Sequence, residues 1–153
     1  MDEIERKMSE VKWSYADGDP DALANLSRRI EEAGRREDLI NYSDLVRGVV
    51  FHLTNVNKGE PFQIDIYEWP DLHRAILGEF LGYISMLSYR RAKFMASALA
   101  VNKTEFKPSD HFKWMKDLGI LSGRDVDDFW QDQVKKAFEW FKTNRCRQND
   151  VGN

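Results

Sequence analysis

The residue types able to do chemistry are present but scattered. Three histidines, His52, His73 and His111, fall in separate segments, and no two share the i, i+4 spacing that sets two imidazoles on one helical face around a metal. Only folding that united them with Asp65 or Asp110 would make such a site. Cys146 is the single cysteine, which rules out an internal disulfide and a multi-thiolate zinc site. Its neighbours Arg145 and Arg147 favour a thiolate, yet no base stands near it in sequence, so it reads as an incidental thiol. Ser109-Asp110-His111 has the letters of a hydrolase triad without the geometry, which adjacent residues cannot supply. Asp110 reads instead as the N-cap of a helix beginning at His111. Asp125, Asp127 and Asp128 supply the negative charge that a helix start favours. No phosphate-cradling glycine loop and no nucleophile elbow appears. The expectation is a protein that is not an enzyme, with no catalytic residue, no metal and no cofactor.

Charge distribution is the stronger signal. The 153 residues carry a net charge of −3, but residues 73–124 hold nine basic and four acidic side chains, a positive middle between acidic flanks. Arg74, Arg90, Arg91, Lys93, Lys103, Lys107, Lys113, Lys116 and Arg124 make up that middle. An anion-facing surface needs such a segment, because phosphate binding follows local rather than total charge. Solvated helix faces are the competing reading. Tyr83, Tyr89, Phe94, Phe112 and Trp114 interleave with these cations, and rings among cations can stack bases, although large rings at helical spacing favour burial. Tyr89, beside Arg90 and Arg91, is the ring expected to be exposed. The candidate nucleic-acid or anion site is therefore Arg74, Tyr89, Arg90, Arg91, Lys93, Lys103 and Lys107.

The elements that must position these residues are mostly helical. Ile4, Met8, Val11 and Tyr15 form one helical stripe, broken at Asp17-Gly18-Asp19-Pro20, with Asp19 as the next cap. Leu23, Leu26 and Ile30 mark a second helix ending near Gly34. Residues 39–53 read as a third, capped by Asn41, and residues 54–61 as a turn. Phe62, Ile64 and Ile66 alternate with polar neighbours, predicting a short strand over 62–67. Asp71 to Arg91 is the longest helix, with Asp71 as its cap and Gly78 and Gly82 spaced to admit a close neighbour. A buried strand over 96–102, a polar turn to Asp110, a short helix ended by Gly119 and a final aromatic helix from Asp125 to Lys142 complete the chain. The expected fold class is mainly α (α+β), five or six helices with a small sheet. A charged helical pair over 1–38 packs on a core of 39–143, and a polar tail follows over 144–153.

Two stretches carry a family resemblance. Ile40-Asn41-Tyr42-Ser43-Asp44-Leu45-Val46, then Leu81-Gly82-Tyr83-Ile84-Ser85, Ala98-Leu99-Ala100-Val101 and Pro108, resemble small uncharacterised bacterial and phage proteins. Those share a Tyr-x-x-Leu helix, a Leu-Gly-x-Ile-Ser-like helix, an Ala-Leu-Val-Val strand and a turn with proline. Phe112, Leu118-Gly119 and Asp128-Phe129-Trp130 extend the likeness over about residues 40–142. More distantly, Asn41-Tyr42-Ser43-Asp44 and Arg74-Ala75-Ile76-Leu77-Gly78 are similar to motifs in the winged-helix domain of alkylguanine-DNA alkyltransferases. The reactive Pro-Cys-His-Arg segment of those enzymes is missing, since no cysteine lies between 40 and 142. The resemblance implies a helix-turn-helix or winged-helix-like centre, with 103–108 as the wing, and a binding scaffold without alkyl transfer.

Three functional expectations follow. The first is a non-enzymatic nucleic-acid-binding or regulatory protein that contacts DNA or RNA phosphates through the seven residues above. The second is a protein-interaction module, such as a phage-defence or immunity component, docking through its acidic or aromatic helices on a protein partner. The third is a binder of a small anionic, nucleotide-like ligand, which needs a pocket lined by Arg74, Arg91 and aromatics. The acidic amino terminus, Met1-Asp2-Glu3, lacks an apolar signal core, and no apolar run is long enough for a bilayer. The expected setting is the cytoplasm, with no membrane partner.

Overall fold

The computed structural model describes residues 2–107 and 125–144. The expected proline turn at 108, the helix over 111–118 and the tail with Cys146 lie outside the described residues, as do Phe112, Lys113, Trp114, Lys116 and Arg124. Regular structure in the described residues comprises α1 (Glu3–Ser9), α2 (Pro20–Arg35), β1 (Ile40–Asn41), α3 (Tyr42–Val46), α4 (Asp71–Ala92), β2 (Ala100–Val101) and α5 (Val126–Thr143). The fold is mainly helical with one small sheet, an α+β arrangement. No helix among the described residues is long and apolar enough to cross a membrane.

Side-chain caps set the helix starts. Asp2 accepts the Glu5 amide, Asn41 the Asp44 amide and Asp125 the Asp127 amide. Asp19 is buried and has two tasks: one oxygen caps α2 at the Ala22 amide, and the other accepts the His52 amide at 2.7 Å. Pro70 precedes α4, and Asp71 sits in its first turn without capping it. At the far end, Lys93 takes a left-handed backbone (φ 62°) and returns its amide to the Tyr89 carbonyl.

Four expected elements differ, each for an identifiable reason. The first helix stops at Ser9, where the amides of Glu10 and Val11 turn back to Lys7 and Met8, and it does not resume through Tyr15 because the amides of Ser14, Tyr15 and Ala16 are all taken by the Glu79 carboxylate. The third helix stops at Val46, where Gly48 adopts φ 78° and the Arg29 guanidinium donates to the carbonyls of Asp44, Leu45 and Arg47. Beyond it, Val49, Phe51 and Leu53 are buried while Val50 and His52 are exposed, a period of two. Phe51 pairs with Phe62 in an isolated antiparallel bridge. The 62–67 strand goes no further, because Asp65 accepts the amides of Tyr67 and Glu68 and bends the chain into a turn. Over 96–102 only Ala100–Val101 is strand, preceded by a 3-10 turn at Ala96–Leu99, and its parallel partner is Ile40–Asn41.

Packing centres on α4. Its Ile76, Leu77, Phe80, Leu81 and Ile84 join Leu26 and Ile30 of α2, Leu45 of α3 and Ala137 and Phe141 of α5 in one cluster. A second cluster gathers Met8, Met86, Tyr89, Met95 and Phe129. Helices α2 and α5 approach so closely that a Cβ on Gly34 would run into the Phe141 ring. Residues 94–101 are wholly buried although they include a non-helical loop. Their backbone groups are met by side chains: Ser97 N–H by Ser85, Ala96 N–H by Ser88, Met95 N–H by Gln133 at 2.9 Å, and Ala98 C=O by the Trp130 indole at 2.7 Å. Replacing Gln133, itself buried, by leucine keeps the volume but orphans the Met95 amide. Gln133→Leu is expected to lower unfolding free energy by about 1–3 kcal/mol in urea titration, whereas Gln131→Leu, on the exposed face, leaves it within about 0.5 kcal/mol.

Candidate functional site

Helix α4 holds the basic residues apart. Arg74 and Arg90 are sixteen positions apart on it, about 24 Å at 1.5 Å per residue, so the seven candidate residues do not form one face. Those near its C-terminus are engaged. Lys93 reaches Glu5 of α1 at 3.2 Å and its cap Asp2 at 3.3 Å. Arg90 donates to the Ser9 hydroxyl, and the Arg91 guanidinium lies 5.7 Å from the Trp140 ring centre. Lys107 pairs with Asp127.

Tyr89, expected as an exposed ring, is buried at 8% exposure. Its hydroxyl donates to Asp2 at 2.9 Å, and the Lys93 ammonium stands 5.2 Å from its ring centre. The neighbouring arginines suggested a surface, but Tyr89 sits on the same helical side as Met86 and closes over Met8 and Met95. The Asp2 carboxyl is held below its ordinary range, chiefly by the Glu5 amide and then by Tyr89 and Lys93. The Lys93 ammonium is raised, first by its hydrogen bond to Glu5.

The other end of α4 is different. A cavity of about 780 Å³ lies between its first half, the segment after α1 and the turn after β2. This volume falls within the roughly 300–1,000 Å³ of small-molecule sites. Three cations line it from three separate segments: Lys12, Arg74 and Lys103. Among the described residues none of the three has an ion-pair partner. Three rings line it as well, Trp13, Tyr42 and Trp69. The hydroxyl of Ser43 and the amide of Asn102 add polar groups.

Each wall is fixed by identifiable bonds. Glu79 clamps residues 14–16 to α4, and Trp13 meets Tyr83 edge to face at 5.3 Å. Asn102 accepts the amides of Thr104 and Glu105 and so shapes the turn bearing Lys103. Trp69 ends the Asp65 turn, which His73 anchors by accepting the Asp65 amide on Nδ1 at 2.9 Å. The Asp65 carboxyl is lowered by the amides of Glu68 and Tyr67. At Gly78, among the described residues and apart from the helix's own backbone, no atom stands within 4 Å of where a Cβ would be, so a small side chain fits there without meeting a close neighbour.

The structure thus unites Arg74 and Lys103 of the candidate set and separates them from the rest. Lys12, Trp13, Trp69 and Glu79 also border the cavity and are not among the residues that charge and spacing single out. A carboxylate amid Leu77, Gly78, Phe80 and Leu81 was the available signal, since an acid beside apolar neighbours on a helix needs donors. No group of three or more His, Cys, Asp or Glu side chains among the described residues is placed to hold a metal ion.

Burial, and then the bond to Asp2, pushes the Tyr89 hydroxyl up from about 10 to about 12. With the folded value above the unfolded one, its contribution to stability is full below pH 10 and lost as pH rises from 10 to 12. Spectrophotometric titration of the phenolates should show one of the five tyrosines ionising near pH 12, and Tyr89→Phe should remove that step. Comparison with protein-family models, with curated proteins and with solved structures finds no match.

Proposed function

We propose that this protein binds a small anionic ligand in the cavity beside the first half of α4, without catalysing its conversion. The observation that carries the reading is the convergence of Lys12, Arg74 and Lys103, from three segments, on one half-open recess where no carboxylate among the described residues pairs with them. Unpaired cations in a partly apolar recess repel one another, and an anion relieves that repulsion while gaining charge-assisted hydrogen bonds. Glu79, the carboxylate of this wall, accepts three backbone amides and is thereby committed to structure rather than to proton transfer. Of the three functional expectations, the small-ligand reading matches this geometry best, with Lys12 and Lys103 in the place given to Arg91. The extended phosphate-contacting surface has less support, since Lys93 and Lys107 are ion-paired and Arg91 lies over Trp140.

Inorganic pyrophosphate is the first probe. It is expected to raise the melting temperature in a concentration-dependent way and to bind more weakly as salt rises. Arg74→Glu or Lys103→Glu should each weaken it about tenfold or more, with Lys107→Gln unchanged. A salt-independent shift, or equal loss in all three variants, would refute the assignment of the anion to this cavity. Gly78→Leu grows a side chain into the empty floor and should abolish binding, whereas Gly78→Ala should bind normally and gain about 0.5–1 kcal/mol of stability from the better helix former.

A further inference from the structure

The backbone at Trp69 carries a second message about the ligand. Its φ is 47°, in the left-handed region that a bulky side chain avoids, and it immediately precedes Pro70. Glycine would take that conformation without strain. The turn is nonetheless held there by a relay of bonds: His73 accepts the Asp65 amide, Asp65 accepts the amides of Tyr67 and Glu68, and the Asp65 carbonyl accepts the Trp69 amide. This relay fixes a half-buried indole that rests on the core and lines the cavity. Strained backbone maintained by its surroundings is found at ligand clamps. Trp13 lines the same cavity from the opposite segment, oriented by its edge-to-face contact with Tyr83.

We infer that the anionic ligand carries a planar ring, as a nucleoside monophosphate does, and that Trp69 is the residue selecting for it. This inference rests on the anion-binding reading of the cavity. The cations receive the phosphate, and the Trp69 indole receives the base by stacking, which is tolerant of base identity. Duplex nucleic acid is too bulky for the space, whereas a mononucleotide is a ligand of the size such cavities take.

The test compares adenosine monophosphate with ribose 5-phosphate, the same phosphate without its base, by titration calorimetry. The mononucleotide is expected to bind about tenfold or more tightly than ribose phosphate, the size of one base-on-ring stack. In Trp69→Gly, which relaxes the strained turn, that preference should collapse to about onefold. Trp69→Phe should keep part of it, and urea denaturation confirms that both variants are folded. Equal affinities of the parent for the two probes, or an undiminished preference in Trp69→Gly, would overturn the ring assignment and leave the anion reading standing. Failure of both probes and of pyrophosphate would overturn both, and binding only of a single-stranded oligonucleotide would do so in favour of an extended surface.

Discussion

The structure depends on making a loop acceptable inside a core. Residues 94–99 carry their peptide groups into the space between α4 and α5, where water cannot serve them. Ser85 and Ser88 reach them from one helix, Gln133 and Trp130 from the other. Each of these polar atoms would be a liability alone, and each is neutral or favourable only because its partner is present. The small side chains of Ala96, Ser97 and Ala98 allow both helices to close on the loop. In this way the two longest described helices are joined through the segment between them.

Helix α4 then separates two kinds of business. Its C-terminal half is used for cohesion: Tyr89, Arg90 and Lys93 engage α1, and Arg91 lies over Trp140 of α5. Its N-terminal half faces a space, with Gly78 as the floor, Arg74 at the edge and Glu79 holding the opposite wall. A single carboxylate binding three consecutive amides is an economical fastening, because one side chain fixes the direction of a whole strand of wall. It also occupies acceptor atoms that could otherwise bond to the nearby cations.

The sequence was legible where one residue's spacing decides the outcome. Asp19, Asn41 and Asp125 cap helices as their types require, and the long apolar periodicity of 71–91 is one continuous helix. It was opaque where a distant side chain decides. The first helix looks continuable through Tyr15 until Glu79 claims the amides, and 49–53 looks helical until Gly48 and Arg29 end α3 and its alternation pairs with Phe62. Tyr89 looks exposed beside Arg90 and Arg91, but its helical side is that of Met86, which faces the core. Of the cavity, Arg74 and Lys103 stood out by charge. Lys12, in an acidic stretch, and Trp69, beside a proline, join them only through tertiary closure.

The two-residue sheet has a kinetic meaning out of proportion to its size. Ile40 pairs with Ala100 and Asn41 with Val101, joining positions some sixty residues apart. Tyr42 and Ser43 follow one strand directly and Asn102 and Lys103 the other, so this pairing is what brings those cavity residues together. Local helices can form in the chain's first moments, but a contact between such distant positions must wait for a large loop to close. The part of the recess that these four residues line thus carries a loop-closure cost that the helices bordering it do not.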